Sequence, residues 1–185
     1  SLDDVINETD VKIIYMPHIE LQSVNTKAYS NFLNAVENSG AEVRYSSTGE
    51  IINEDSGVEI VFFTPLVSDY EEFKNSHGDT NSICPIIMLY YLDKSILFTG
   101  DATKNTEELF LSPAQNHSKL KDKSIEADIL KVSHHGSRHS TTAEFLSAVK
   151  PQISVISVGK NSYGHPHADT IERLLEYSHT ILRTD

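Results

Sequence analysis

Three stretches of this sequence carry side chains able to bind a cation or move a proton, and each follows an apolar run. Ile129-Leu130-Lys131-Val132 leads into Ser133-His134-His135-Gly136-Ser137-Arg138-His139-Ser140, Ser95 to Thr99 leads into Gly100-Asp101, and Ile153 to Gly159 leads toward His165-Pro166-His167. Carboxylate and imidazole together suit a borderline divalent metal. Asp101 follows a glycine that lets the backbone bend, and its carboxylate is a candidate bridge between two cations. His134, His135 and His139 are too crowded to be protonated together without repulsion, so they read as a functional cluster. On a strand of alternating faces, His134 and His135 would point opposite ways, leaving one of them in a supporting role. His165 precedes a proline, which keeps it out of the helical region.

Side chains so far apart in sequence meet only if rigid elements deliver them to one edge. The pattern supplies such elements. Val11 to Met16 reads as a short strand, and Tyr29 to Asn38 as a helix with Phe32, Leu33 and Val36 on one face and Gly40 as its stop. Glu42 to Tyr45 and Val58 to Phe63 alternate around a turn at Asn53 to Gly57, which predicts antiparallel pieces. Ile83 to Leu92 and Ser95 to Thr99 flank a tight turn at Asp93-Lys94, and Pro85 marks an edge or bulge. Thr103 to Leu111 is a helix. Thr141 to Glu144 is a capping box for a helix closed by Pro151, and Asp169 to Glu172 opens the last helix in the same way. Residues 152–158 and 180–183 are strands. The expectation is an α/β layered protein with a mixed sheet, forming one domain over residues 1–185.

With 185 residues and 38% hydrophobic side chains, the chain can build a real core. It has no apolar run long enough to span a bilayer, so no membrane contact is expected from this chain itself. A formal charge of −12 excludes a protein that coats nucleic acid through counterion release. Any attraction to phosphate is local, through metal ions or cations such as Lys131, Arg138 and Lys160. The single cysteine, Cys84, reads as a small buried hydrophobe. Ser1-Leu2-Asp3-Asp4 is acidic where a signal peptide needs basic residues, and neither cytoplasm nor cell surface is selected.

Phe98-Thr99-Gly100-Asp101, Leu130 to Ser137 with its HHGS, and Ser157-Val158-Gly159 through Tyr163-Gly164-His165-Pro166 together resemble the C-terminal part of a metallo-β-lactamase-fold hydrolase. The branch they resemble includes the hydrolase domain of the ComEC competence protein. The resemblance implies a metallo-β-lactamase-like αββα sandwich with mixed sheets, incomplete at both ends, and two divalent metal ions, zinc or manganese. It makes Asp101 the bridging ligand, His165 a terminal ligand, and His134 either a ligand or a contact to substrate phosphate. His135 and His139 become candidates for proton donation to a leaving group.

The family's first motif, of the HxHxDH or HxDxDH type, is absent from this sequence. The resemblance therefore implies that a missing N-terminal portion of the same domain supplies further ligands and strands. His18 and His77 are weaker candidates as replacements. Three functions follow. The first is a phosphodiesterase or nuclease acting on DNA or another phosphate ester by a metal-activated water. The alternatives are a hydrolase of small esters or lactams, and a non-catalytic binding module that lacks the N-terminal ligands.

Overall fold

The computed structural model describes residues 2–17, 26–53, 55–66, 80–112 and 117–185. They form two compact units, Ser1–Ser46 and Ser47–Asp185.

The first unit contains helix α1 (Leu2–Glu8), strand β1 (Ile13–Met16), helix α2 (Lys27–Ser39) and strand β2 (Glu42–Tyr45). Gly40 ends α2 at φ 69°, as the sequence predicts, while the helix starts two residues earlier than expected, capped by Thr26, which accepts from the Tyr29 N–H. Ile6, Ile14, Ala35 and Val36 form its small core, with Phe32 packed against them. β1 and β2 pair in parallel, in the register Ile14 to Val43. This corrects the expectation that Glu42–Tyr45 pairs antiparallel with the Val58 strand: a helix lies between β1 and β2, and such a crossover returns the chain in the same direction.

The second unit is a seven-stranded mixed sheet in spatial order β3-β4-β5-β6-β7-β8-β9. The strands are β3 (Ile51–Asn53), β4 (Val58–Phe62), β5 (Ile87–Tyr91), β6 (Lys94–Phe98), β7 (Ile129–Lys131), β8 (Ile153–Ile156) and β9 (Thr180–Arg183). The antiparallel partner of β4 across the Gly57 turn is β3, a strand too short for its alternation to show in the sequence. β5 and β6 form the expected hairpin, with the turn at Leu92-Asp93, and β5 starts at Ile87, beyond Pro85. From β6 to β9 all neighbours are parallel, each pair joined through a crossover that carries a helix or a long loop. Parallel order puts the C-terminal ends of β6, β7 and β8 on one edge.

Helices α3 (Lys104–Leu111), α4 (Ala143–Val149) and α5 (Ala168–Tyr177) contribute Phe110, Phe145 and Leu174 to the core, with Met88, Leu97, Leu130 and Ile156 of the sheet. Phe63, Phe110 and Phe145 make successive edge-to-face contacts at 5.1 and 5.6 Å. The alternate strand residues Ile96, Ile129, Ile153 and Val155 are half-buried, while Phe98 and Leu182 are exposed, so the sheet is apolar on both faces. That two-sided pattern fits one layer of a sandwich.

Two predicted helix starts shift. Thr142 caps α4, accepting from Phe145 N–H at 3.3 Å, so the Thr141–Glu144 box does not form. His167 caps α5 in place of Asp169.

Candidate active site

Asp101 follows β6 through Thr99 and Gly100. Its backbone N–H donates to Cys84 Sγ at 3.2 Å, and burial pushes the Cys84 thiol up, leaving it an inert prop under the turn. Lys131 does not face solvent as a phosphate-binding cation. Its ammonium donates to the carbonyl oxygens of Gly100 (2.9 Å) and Val132 (3.3 Å), and burial lowers its pKa while Asp101 and Cys84 oppose the shift. Lys131 thus ties the end of β7 to the Gly100-Asp101 turn.

The histidines after β7 do not continue a strand, so the expectation that His134 and His135 point to opposite faces gives way. Both lie in the left-handed region, His134 at φ 46° and His135 at φ 55°, followed by Gly136 at φ 83°. Each non-glycine residue there costs roughly 1–2 kcal/mol, a strain that persists only where the surroundings over-determine it. The turn is held at several points. His134 N–H donates to Gly100 O (3.0 Å), Ser137 N–H to His134 O (2.9 Å), and His167 N–H to Gly136 O (2.8 Å). A Cβ on Gly136 would lie 2.6 Å from Pro166 Cβ, so only glycine lets the two loops approach.

The rings then meet in pairs. His135 Nε2 lies 3.4 Å from Asp101 Oδ1, and His135 Nδ1 lies 2.6 Å from Ser157 O. A carbonyl only accepts, so Nδ1 carries a proton and donates it to Ser157 O, while Nε2 faces the carboxylate. His134 stands between the other rings, 6.5 Å from His135 and 5.7 Å from His165, centroid to centroid. Two imidazoles sharing one cation place their centroids about 5 Å apart.

Burial lowers the His165 pKa, and the neighbouring imidazoles of His134, His135 and His167 push the same way against Asp101. Its Nδ1 is buried without a hydrogen-bond partner. His139 is exposed and takes no part in these ring contacts. Arg138 is engaged with His167 Nε2. His18 and His77 lie outside the described residues.

Sequence reasoning did not single out Asn161, which organises the loop after β8. Its side chain donates to Gly159 O (2.9 Å) and His165 O (2.8 Å) and accepts from the N–H groups of Tyr163 (3.0 Å) and His165 (3.1 Å). The available signal was an Asn between two glycines, a residue able to substitute for turn backbone. Beside this loop a cavity of about 460 Å³ is lined by His135, Ser157, Lys160, Asn161, Tyr163 and His165, among others. Among the described residues no group of three or more His, Cys, Asp or Glu side chains is placed to hold a metal by itself.

A mixed sheet delivering Asp101, His134, His135 and His165 to one edge is the arrangement the sequence motifs imply. The chain belongs to the metallo-beta-lactamase superfamily, whose sequence profile matches residues 1–160. Within it, the chain is 29% identical over 130 residues to Competence protein ComA of Neisseria gonorrhoeae, covering 70% of this chain and 17% of that protein. It is 40% identical over 92 residues to ComE operon protein 3 of Bacillus subtilis, covering 49% of this chain and 11% of that protein. It is 35% identical over 110 residues to Recombination protein 2 of Haemophilus influenzae, covering 59% of this chain and 13% of that one. The chain thus spans only a small part of these relatives' length. The solved structure of CmlA, a diiron beta-hydroxylase from Streptomyces venezuelae, shares the fold with a TM-score of 0.52 and 12% identity, over 91% of this chain and 38% of that one.

Proposed function

We propose that this chain is the site-bearing part of a metal-dependent phosphodiesterase acting on DNA or another phosphate ester. The observation that carries the reading is the meeting of Asp101, His134, His135 and His165 at the ends of three parallel strands, beside a cavity walled in part by Lys160. The donors fit a divalent cation. His135 Nε2 and Asp101 Oδ1 are electron-rich atoms 3.4 Å apart, which a proton or cation between them reconciles, and His165 Nδ1 is an orphaned imidazole nitrogen. Asp101, His134 and His165 would hold the ions, zinc or manganese, with His135 as a further donor. Ligands beyond these four would complete the shells.

A bound divalent cation lowers the pKa of water toward neutrality and takes up negative charge that develops on the phosphoryl oxygens. The Ser157 carbonyl fixes the His135 ring, as outer groups fix metal-site histidines, and Lys160 offers its ammonium to the phosphate. DNA is favoured among phosphate esters because the similar proteins carry competence and recombination in their names. A nuclease assay on the purified protein tests this reading. Linear DNA cleaved with manganese or zinc and protected by chelator supports it. Turnover confined to carboxylic esters or lactams overturns the substrate, and failure to bind metal overturns the mechanism.

A further inference from the structure

Glu107 is a fully buried carboxylate that the chemistry above does not use. Its Oε1 accepts from Thr141 N–H (2.5 Å) and from Ser133 Oγ (3.1 Å), and its Oε2 accepts from Thr142 N–H (2.9 Å). It therefore holds both ends of the segment that carries His134, His135 and His139. From the other side, Arg173 of α5 donates through Nη2 to Ser140 O (3.0 Å) and through Nε to Thr141 O (3.0 Å). One peptide group, Ser140–Thr141, thus has its N–H taken by the Glu107 carboxyl group and its carbonyl by the Arg173 guanidinium; burial pushes the Glu107 pKa up, and the hydrogen bonds from Thr142, Thr141 and Ser133 work against it. Charge-assisted bonds such as those from Arg173 are stronger than neutral ones.

The clamped residue explains the need. Thr141 is β-branched, fully buried, at φ 55°, and its Oγ1 has no hydrogen-bond partner. Left alone, it relaxes toward an extended backbone and carries the histidine loop with it.

We infer that Glu107 and Arg173 are a positioning pair: they hold Thr141 in its strained conformation and thereby set where His134 and His135 stand. The inference concerns the loop, and only its activity arm rests on the hydrolase reading.

Glu107→Gln is the informative variant, because in either orientation an amide NH₂ must face the N–H of Thr141 or Thr142. The test is site-resolved modification of histidines by diethyl pyrocarbonate in the metal-free gene product. The expected result is a several-fold rise in reactivity at His134 and His135 with His179 unchanged. Adding Thr141→Gly, which adopts positive φ freely, restores both rates. In the active enzyme, kcat falls about tenfold or more while KM stays near its original value, the signature of misplaced reacting groups. Unchanged His134 and His135 reactivity in Glu107→Gln overturns the proposal, as does failure of Thr141→Gly to restore it. Should Glu107→Gln lose the cooperative urea-unfolding transition of the unsubstituted protein, the chain has unfolded. Arg173→Met then carries the same readout, and unchanged His134 and His135 there is equally fatal.

Discussion

Asp101 Oδ1 lies 3.4 Å from His135 Nε2, while the opposite nitrogen of the same ring donates to Ser157 O at 2.6 Å. The imidazole is thus oriented from behind by the strand β8 extension and directed forward at the carboxylate from β6. His139, from the same short sequence run, stands exposed outside this arrangement. His135→Ala is expected to lower kcat by about 100-fold or more, within the range seen when a positioned histidine or an outer metal-site partner is removed. His139→Ala should change it only a few-fold, and steady-state kinetics on the two variants checks the difference.

Gly136 is the point where the histidine turn touches the His165-Pro166 loop. At φ 83°, with a Cβ 2.6 Å from Pro166 Cβ, alanine is strained in backbone and in space at once. Gly136→Ala should destabilise the fold by about 2 kcal/mol and separate the two loops. Denaturant unfolding measures the first effect and loss of metal affinity the second.

Asn161 occupies all four of its side-chain hydrogen-bonding directions within one loop. The loop is exposed, so Asn161→Ala should cost only about 1 kcal/mol of stability while loosening His165 and the cavity wall. A KM raised about tenfold for a phosphodiester, with a small change in melting temperature, is the expected pair of results.

The opposite ends of the strands are pinned by Asp128. Its carboxylate accepts from Ser95 N–H (2.9 Å) and Ser95 Oγ (3.2 Å) and lies 3.6 Å from Lys94 Nζ. Burial works against the charge, but Ser95 and Lys94 outweigh it and hold the pKa below the usual carboxylate value. Because the folded-state pKa is depressed, this stabilisation is complete above the unfolded value of about 4 and disappears as pH falls through the folded one. Asp128→Asn should therefore cost under about 1 kcal/mol at pH 7 and nothing in strong acid. Urea unfolding at both pH values reads the difference.

Much of this architecture was legible because apolar strands announce themselves. The runs before Asp101, His134 and Gly159 are short, continuous and bounded by turn residues, and their order predicts a mixed sheet with the chemistry at one edge. What stayed hidden depended on partners distant in sequence. Parallel pairing of β1 with β2 cannot be told from antiparallel by alternation, and β3 has only three residues. The left-handed His134-His135 turn runs against the preference of both residues and exists because Gly100, Pro166 and Glu107 leave no alternative. The Glu107–Arg173 clamp joins residues on two helices through a backbone segment between them. Lys131 looked like a phosphate ligand because sequence shows its charge and not the two carbonyl groups that occupy it.

The account stands or falls on whether these strand ends grip a cation together. Metal content of the protein, measured by elemental analysis beside Asp101→Ala and His165→Ala variants of confirmed fold, is the direct test. The expected result is bound zinc or manganese in the unmodified protein, lost from both variants together with phosphodiester cleavage. Undiminished metal in both variants would contradict the site described above.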